Sequence, residues 1–213
     1  MLVAGLAFAC MGVFVKLGAA HFGSSELVFY RSLFSLLFMT AILSHRRTSL
    51  VTPHWRGHLW RGLSGTVAML LFFYCITTLP LATAITLNYT SSLFITLLSL
   101  LVYKDRLHLP LSASLVLGFV GVVALLHPTL EREQFLNGLL GLGSGFLAAV
   151  ALLNVRELGK LGEPAVRVVF YFNLVATLFT GIWMVQSGIH AIMLTDLPLL
   201  LALALPPPWR NWL

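Results

Sequence analysis

Charge is what this chain has least of. Asp, Glu, Lys and Arg make up 9% of its 213 residues, and only seven side chains are acidic. A soluble domain carries roughly 25% charged residues. Cysteine is nearly absent as well. Cys10 and Cys75 both lie inside apolar runs, so neither a disulfide framework nor a thiolate metal site follows from them. No nucleophile–base pair, phosphate-binding glycine loop, His/Cys cluster or heptad repeat is legible, so no catalytic centre, cofactor or ATP-hydrolysing machinery is expected. These shortages argue against a soluble enzyme, a nucleic-acid binder and a disordered tail alike.

What fills the chain is apolar surface: 59% of residues are hydrophobic and mean hydropathy is +0.94. The formal charge of +6 would suit nucleic acid only if the basic residues shared one exposed face. They sit instead in short clusters between apolar runs, the pattern of an integral membrane protein. Stretches free of Asp, Glu, Lys and Arg run over 1–15, 17–25, 32–45, 62–103, 107–130, 134–155 and 168–195. A span needs about 20 apolar residues to cross roughly 30 Å of hydrocarbon. The stretch 62–103 is too long for one span, and Thr77-Thr78-Leu79-Pro80 reads as a tight turn within it. The expected fold is an all-α polytopic bundle of about eight transmembrane helices, near 2–18, 25–44, 62–79, 82–103, 109–127, 137–155, 166–186 and 190–205. The first helix has no basic leader, and Lys16 follows its apolar run, which does not suit a signal peptide.

Alternate loops are basic. Loop 45–61 holds Arg46, Arg47, Arg56 and Arg61, the next such loop Lys104 and Arg106, and the third Arg156 and Lys160 with Arg167 just beyond. The intervening loops carry no charge or offset Arg132 against Glu131 and Glu133. The positive-inside rule then puts these loops and the N-terminus in the cytoplasm of a cell or inner membrane.

A repeat is also visible. FYRSLFSLLF at 29–38 matches FYFNLVATLF at 170–179 at five of ten positions: Phe29/Phe170, Tyr30/Tyr171, Leu33/Leu174, Leu37/Leu178 and Phe38/Phe179. Gly5/Gly145 and Val15-Lys16/Val155-Arg156 extend the parallel. An offset of five helices reverses the second copy in the membrane, the pattern of inverted-repeat transporters, whose solute site lies near the bilayer midplane.

Several segments taken in order carry a family likeness. They are FACMGVFVK at 8–16, ELVFYR at 26–31, RGLSG at 61–65, LPLATA at 79–84, YTSSLF at 89–94, YKDRL at 103–107 and GFVGV at 118–122. Together they resemble the EamA-type branch of the drug/metabolite transporter superfamily, over residues 1–205. Ser92 stands where that family usually has proline, and Asp105 where it usually has glutamate. The resemblance implies ten helices in two repeats of five. This chain would then hold the first repeat at 1–130 and about three helices of the second at 131–205. The tail at 206–213 is rich in Pro and Trp, and its three prolines would break a helix, so the chain reads as C-terminally truncated. The resemblance further implies export or uptake of a small metabolite or drug-like solute by alternating access, ion-coupled or passive. A truncated chain that does not transport, or that needs a partner to complete the bundle, is the alternative. The expected partners are the lipid bilayer and a small-molecule substrate, with a homodimer left open and no nucleic acid.

Ionisable groups inside a span are costly, and they mark function by default. Arg31, one and a half turns into the second helix, is the leading candidate to bind an anionic group; the competing reading is snorkelling or pairing with Glu26. Glu26 suits a helix N-terminus on dipole grounds, with proton coupling as its functional alternative. Lys16 at the end of the first helix reads as snorkelling sooner than as a solute contact. The polar run Asn88-Tyr89-Thr90-Ser91-Ser92 must turn some residues toward protein or water. Asn88 and Tyr89 are its cavity candidates, set against hydroxyls that join helices. Tyr30, Tyr74, Tyr171 and Asn173 complete the candidate lining, with aromatic packing and interhelical hydrogen bonds as the plainer account. If the repeats are related by a pseudo-twofold axis, Tyr30 and Tyr171 should flank one cavity. Gly118, Gly121, Gly138, Gly141, Gly143 and Gly145 read as points of close helix contact. His190 and Asp196 are six residues apart and form no metal pair at helical spacing.

Overall fold

The computed structural model describes residues 2–19, 21–46, 49–103, 109–126 and 132–187. Within them the chain forms α1 (Leu2–Gly18), α2 (Ser24–Arg46), α3 (Trp55–Thr78), α4 (Leu81–Tyr89), α5 (Ser91–Tyr103), α6 (Leu109–Leu126), α7 (Arg132–Lys160) and α8 (Ala165–Ser187). No strand occurs among the described residues. Five segments are long and apolar enough to cross a membrane: Ser24–His45, Trp55–Thr78, Leu81–Tyr103, Phe135–Lys160 and Ala165–Val185. The protein is a multi-pass integral membrane protein. The expected helix at 190–205, with His190 and Asp196, and the positions Lys104, Asp105 and Arg106 lie outside the described residues.

The exterior is as apolar as the interior. Leu117, Val120 and Val123 on α6 and Ile182 and Val185 on α8 are exposed, as side chains facing lipid should be. Several hydroxyls inside spans are satisfied within their own helices. The hydroxyls of Thr66, Thr86, Thr96 and Thr180 donate to the carbonyls of Gly62, Ala82, Ser92 and Ala176, each four residues back. Lipid offers no water to take those bonds.

Two helices extend further than the charge-free stretches predict. α3 begins at Trp55 instead of residue 62, and α7 occupies 132–160 instead of 137–155. A charge-free run measures the hydrocarbon core, whereas a helix continues wherever its backbone bonds can. The 29 residues of α7 span roughly 44 Å, more than the hydrocarbon needs. Long basic side chains at its end reach back to the interface, where Arg156 and Lys160 lie over the Tyr103 ring.

The turn expected at 77–80 is present. α3 ends at Thr78, Leu79 is extended and Pro80 precedes α4. Lys16 holds this corner. Its ammonium donates to the carbonyls of Ile76 (2.6 Å), Thr77 (3.3 Å) and Leu79 (3.0 Å), which are the orphan acceptors of a helix C-terminus. Lys16 is therefore a cap between α1 and α3, neither free to snorkel nor available to a solute.

α4 and α5 form one membrane-crossing rod with a break at Thr90. Both the N–H and the hydroxyl of Thr90 donate to Leu87 O, at 3.1 and 2.6 Å. α7 presses against this break through Gly145. A methyl group there would lie 2.5 Å from Thr90 Oγ1 and 3.1 Å from Leu87 O. Gly118 and Gly141 likewise admit Leu93 and Leu87, while Gly121 and Gly143 face open space. Of the expected contact glycines, these two have no tight neighbour.

α3 packs mainly on α7, and α2 on α8. α2 and α8 carry the matched segments, and they lie antiparallel. Phe29 near the start of α2 meets Gly181 near the end of α8, while Ser49 just beyond α2 meets Arg167 near the start of α8.

Candidate functional site

A cavity of about 240 Å³ opens between the helices. Met11 of α1, Arg31 of α2, six residues of α3 between Arg61 and Phe73, Asn88 of α4, Ser91 of α5, Ala148, Ala151 and Leu152 of α7 and Phe172 of α8 line it. Elements from both ends of the chain thus contribute to one chamber, and among the described residues no Asp or Glu lines it.

Two guanidinium groups enter this chamber. Arg31 reaches it from α2, where its Nη1 lies 2.7 Å from the Met69 sulfur, a weak acceptor. Arg61 reaches it from α3. Its Nε and Nη1 are buried without a hydrogen-bond partner, and its guanidinium lies 4.5 Å from the centroid of the Phe172 ring. Gly65, four residues on, leaves the space for that arrangement. A methyl group at Gly65 would collide with Arg61 Nη1 and come within 2.9 Å of Phe172 Cε2. The contact points of the two arginines on α3, Met69 and Gly65, are one turn apart, roughly 6 Å along the axis. Two like charges that share one low-dielectric chamber repel.

Of the candidates read from sequence, Arg31 and Asn88 line this chamber and the others do not. Tyr89, one residue from Asn88 and so about 100° around the helix, is 53% exposed and points outward. Tyr74 is also exposed on the outside of α3. Asn173 is buried, but its amide donates to Val169 O on its own helix (2.9 Å), while its neighbour Phe172 faces the chamber. Tyr30 is buried against Phe22 and Phe29. Tyr171 stacks on His58, with ring centroids 4.7 Å apart, and donates to Leu50 O at 2.8 Å. Tyr30 and Tyr171 therefore do not share a cavity. Each lies in the second turn of its helix, and antiparallel helices carry their second turns to opposite ends. Only residues near the middle of such helices can meet. Glu26 accepts the Gly23 N–H at 2.8 Å, the reach-back of a helix-capping carboxylate.

Arg61 escaped the sequence reading because it was assigned to a loop. The signal was present in RGLSG at 61–65: an arginine with glycine four residues later on one helix face is a charge with room to fold against its own helix.

A second polar cluster lies where the α2–α3 loop meets the α7–α8 turn. Glu163 is buried and surrounded by donors. Arg167 Nη1 donates to its Oε2 at 2.7 Å, the Thr52 hydroxyl donates to its Oε1, and His58 Nε2 lies 3.4 Å away. Burial pushes the Glu163 carboxyl up, but the hydrogen bonds from Thr52 and Arg167, with the Arg167 charge, outweigh it and hold the group below the ordinary carboxylate range. Arg167 also donates to Ser49 O through Nε (2.9 Å) and Nη2 (2.6 Å). This cluster latches the first part of the chain to the last described part. Nearby, a hollow of about 480 Å³ is lined by His54, Trp55, Arg56, Asn154 and Glu157 among others. Its charges are of both signs, so it lacks the imbalance of the central chamber.

Comparison with known proteins follows the same lines. Residues 1–126 match the EamA-like transporter family. A Helicobacter pylori (strain J99) protein described only as a transporter is 31% identical over 198 residues, 89% of this chain and 66% of the relative. The pseudopaline exporter of Pseudomonas aeruginosa is 28% identical over 201 residues, 94% of this chain and 70% of the exporter. The riboflavin transporter of Vibrio cholerae is 27% identical over 180 residues, 82% of this chain and 60% of that protein. The chain spans about two thirds of the length of the curated relatives it matches.

Proposed function

Because this chain belongs to the EamA-like transporter family, we propose that it carries small organic anions across a cell membrane by alternating access, with the chamber around Arg31 as the solute site. The observation that carries this reading is the charge imbalance of the chamber: arginine side chains line it and no carboxylate among the described residues does. An uncompensated charge in a low-dielectric interior is unfavourable, so a bound anion would remove a standing penalty. Asn88 and Ser91 add hydrogen-bonding groups, and Met11, Met69, Phe72 and Phe172 supply an apolar wall. The relatives are named for solutes as different as pseudopaline and riboflavin, so the chemistry of the lining, and not the family, decides the class carried here.

In this reading the two repeats lie inverted in the membrane, with the N-terminus and loop 45–61 cytoplasmic. The Glu163 latch then closes the cytoplasmic side and breaks when the repeats rock. The protein acts as a carrier without catalytic chemistry, and proton or counter-solute gradients drive it. Glu26 is spoken for as a cap and is the weaker proton-coupling candidate for it.

Transport by the purified chain in proteoliposomes tests the proposal. Radiolabelled small carboxylates should be taken up by wild type, with the rate falling at least tenfold in Arg31→Gln. Uptake of neutral and cationic solutes in preference to carboxylates, or unchanged carboxylate uptake by Arg31→Gln, would overturn it. The orientation is tested separately by Val51→Cys, since Val51 is 84% exposed. In a chain whose exposed Cys10 is replaced, an impermeant thiol reagent should label this cysteine only after the cells are opened.

A further inference from the structure

We propose that the chamber is a two-point anion site, with Arg31 and Arg61 each binding one end of a small dicarboxylate or similarly two-headed anion. This rests on the carrier reading above and narrows it from anions in general to anions with two charged groups. The inference comes from where the Arg61 side chain lies.

Three observations meet here. First, Arg61 has buried donors with no partner, at Nε and Nη1, and it lines the same chamber as Arg31. Buried polar groups are almost always hydrogen-bonded in a folded protein, so an orphaned guanidinium facing a cavity marks a place where an acceptor is bound. Second, Arg31 is held only weakly. Its contact is the Met69 thioether at 2.7 Å, which satisfies one of the five N–H donors of a guanidinium. Both groups line the chamber, and a planar guanidinium fork matches a carboxylate bidentately. Third, the two forks are set at a fixed spacing by one helix. Met69 and Gly65 present them one turn apart on α3, and Phe172 backs Arg61 from the far side. A single carboxylate can satisfy one fork and leaves the other positive and unpaired. A dianion whose ends are about one helical turn apart satisfies both and cancels their repulsion, while its short apolar middle lies against Met69 and Phe172.

The test compares adipate, a six-carbon dicarboxylate, with hexanoate, its monocarboxylate counterpart. Binding to the purified full chain in detergent is followed by titration calorimetry. Wild type should bind adipate about 10- to 100-fold more tightly than hexanoate, the gain of one further charge-assisted pair. Arg61→Gln should erase that preference while leaving hexanoate affinity within about threefold. Arg61→Lys, which retains the charge without the fork, should restore part of it. Matching thermal-unfolding midpoints for wild type and variants show that a lost preference is not a lost fold. Equal affinity of wild type for the two acids, or a preference that survives in Arg61→Gln, overturns the two-point site and leaves the carrier of simple anions standing. Failure of both acids to bind wild type overturns the two-point site and the anion reading with it.

Discussion

The bundle buries two groups of charged and polar side chains, and they are built in opposite ways. Around Glu163 the charges are compensated: the carboxylate accepts from Arg167 and the Thr52 hydroxyl, His58 Nε2 lies 3.4 Å from it, and the rest of Arg167 is taken up by Ser49 O. In the central chamber two guanidiniums face each other's field with a thioether, an aromatic ring and no carboxylate among the described residues. A satisfied buried network rigidifies and specifies. An unsatisfied one is tolerated where a ligand supplies what is missing. The first group thus reads as architecture and the second as a site, although by sequence alone both are only charges near apolar runs.

If that contrast is right, substitutions in the two clusters should shift stability in opposite directions. The largest effect is expected at the latch. Glu163→Ala takes the carboxylate away from Arg167 Nη1, the Thr52 hydroxyl and His58 at once, and breaking a buried pair in this way costs about 3 kcal/mol. Thermal unfolding in detergent should show a clear fall in midpoint. An unchanged midpoint would mean that the latch is no more than a surface ion pair. The next largest effect has the reverse sign. Arg61→Met replaces an unpaired buried charge by an apolar chain of similar length, and such replacements stabilise by about 1–2 kcal/mol when a charge was poorly compensated. The unfolding midpoint should rise while affinity for adipate falls. A midpoint that drops as far as in Glu163→Ala would make Arg61 a structural residue and remove the contrast.

The ease with which the fold could be read, and the difficulty of the site, have one physical source. Lipid demands long apolar helices, so a run such as 62–103 with Pro80 inside it announces two spans and a turn, and α3 and α4 meet at that place. Helix ends were less legible because charge marks the edge of the hydrocarbon and not of the helix, and so α3 gained Trp55 to Arg61. The site depended on which side of a helix each residue faces. Asn88 and Tyr89 are neighbours in sequence, yet one lines the chamber and the other points outward. Periodicity could not separate them, because lipid-facing and protein-facing surfaces are equally apolar. Arg31 was legible since a cation deep in a span has few explanations, whereas Arg61 was hidden by being counted with a loop.

A smaller effect separates the clusters by pH. The Glu163 carboxyl is held below its ordinary range, so its stabilising contribution is complete above the unfolded-chain value of about 4.3. That contribution is lost as pH falls through the lower folded value. The gap between the unfolding midpoints of wild type and Glu163→Gln should therefore shrink as the pH is taken below about 4.3. The chamber arginines keep their charge throughout that range, so the difference between wild type and Arg61→Met should show no such convergence. Parallel pH profiles for both pairs would remove Glu163 from the centre of the latch.

The smallest change in stability, and the most specific in outcome, is expected at Gly65. This glycine is one of the few whose missing side chain is filled by a functional group instead of by packing, for Arg61 Nη1 and Phe172 occupy the space that a Cβ would take. In Gly65→Ala the backbone has no reason to move, because Gly65 lies inside α3 and alanine is the better helix former by about 1 kcal/mol. The flexible end of Arg61 must yield and the Phe172 ring must shift with it, so Arg61 loses its seat over that ring. Stability should change by less than about 1 kcal/mol, since the gain in helix propensity offsets the lost cation–ring contact of similar size. Adipate binding should weaken about three- to tenfold, with hexanoate little affected, because a guanidinium without its niche no longer holds its fork in place. At Gly145 the same substitution has the opposite signature. There a methyl group meets the Leu87 carbonyl and the Thr90 hydroxyl, which cannot swing aside, so stability should fall by about 1–3 kcal/mol through overpacking. If Gly65→Ala destabilised the bundle as Gly145→Ala does and left anion binding intact, Arg61 would be filling space beside α8 and the chamber would have one working arginine.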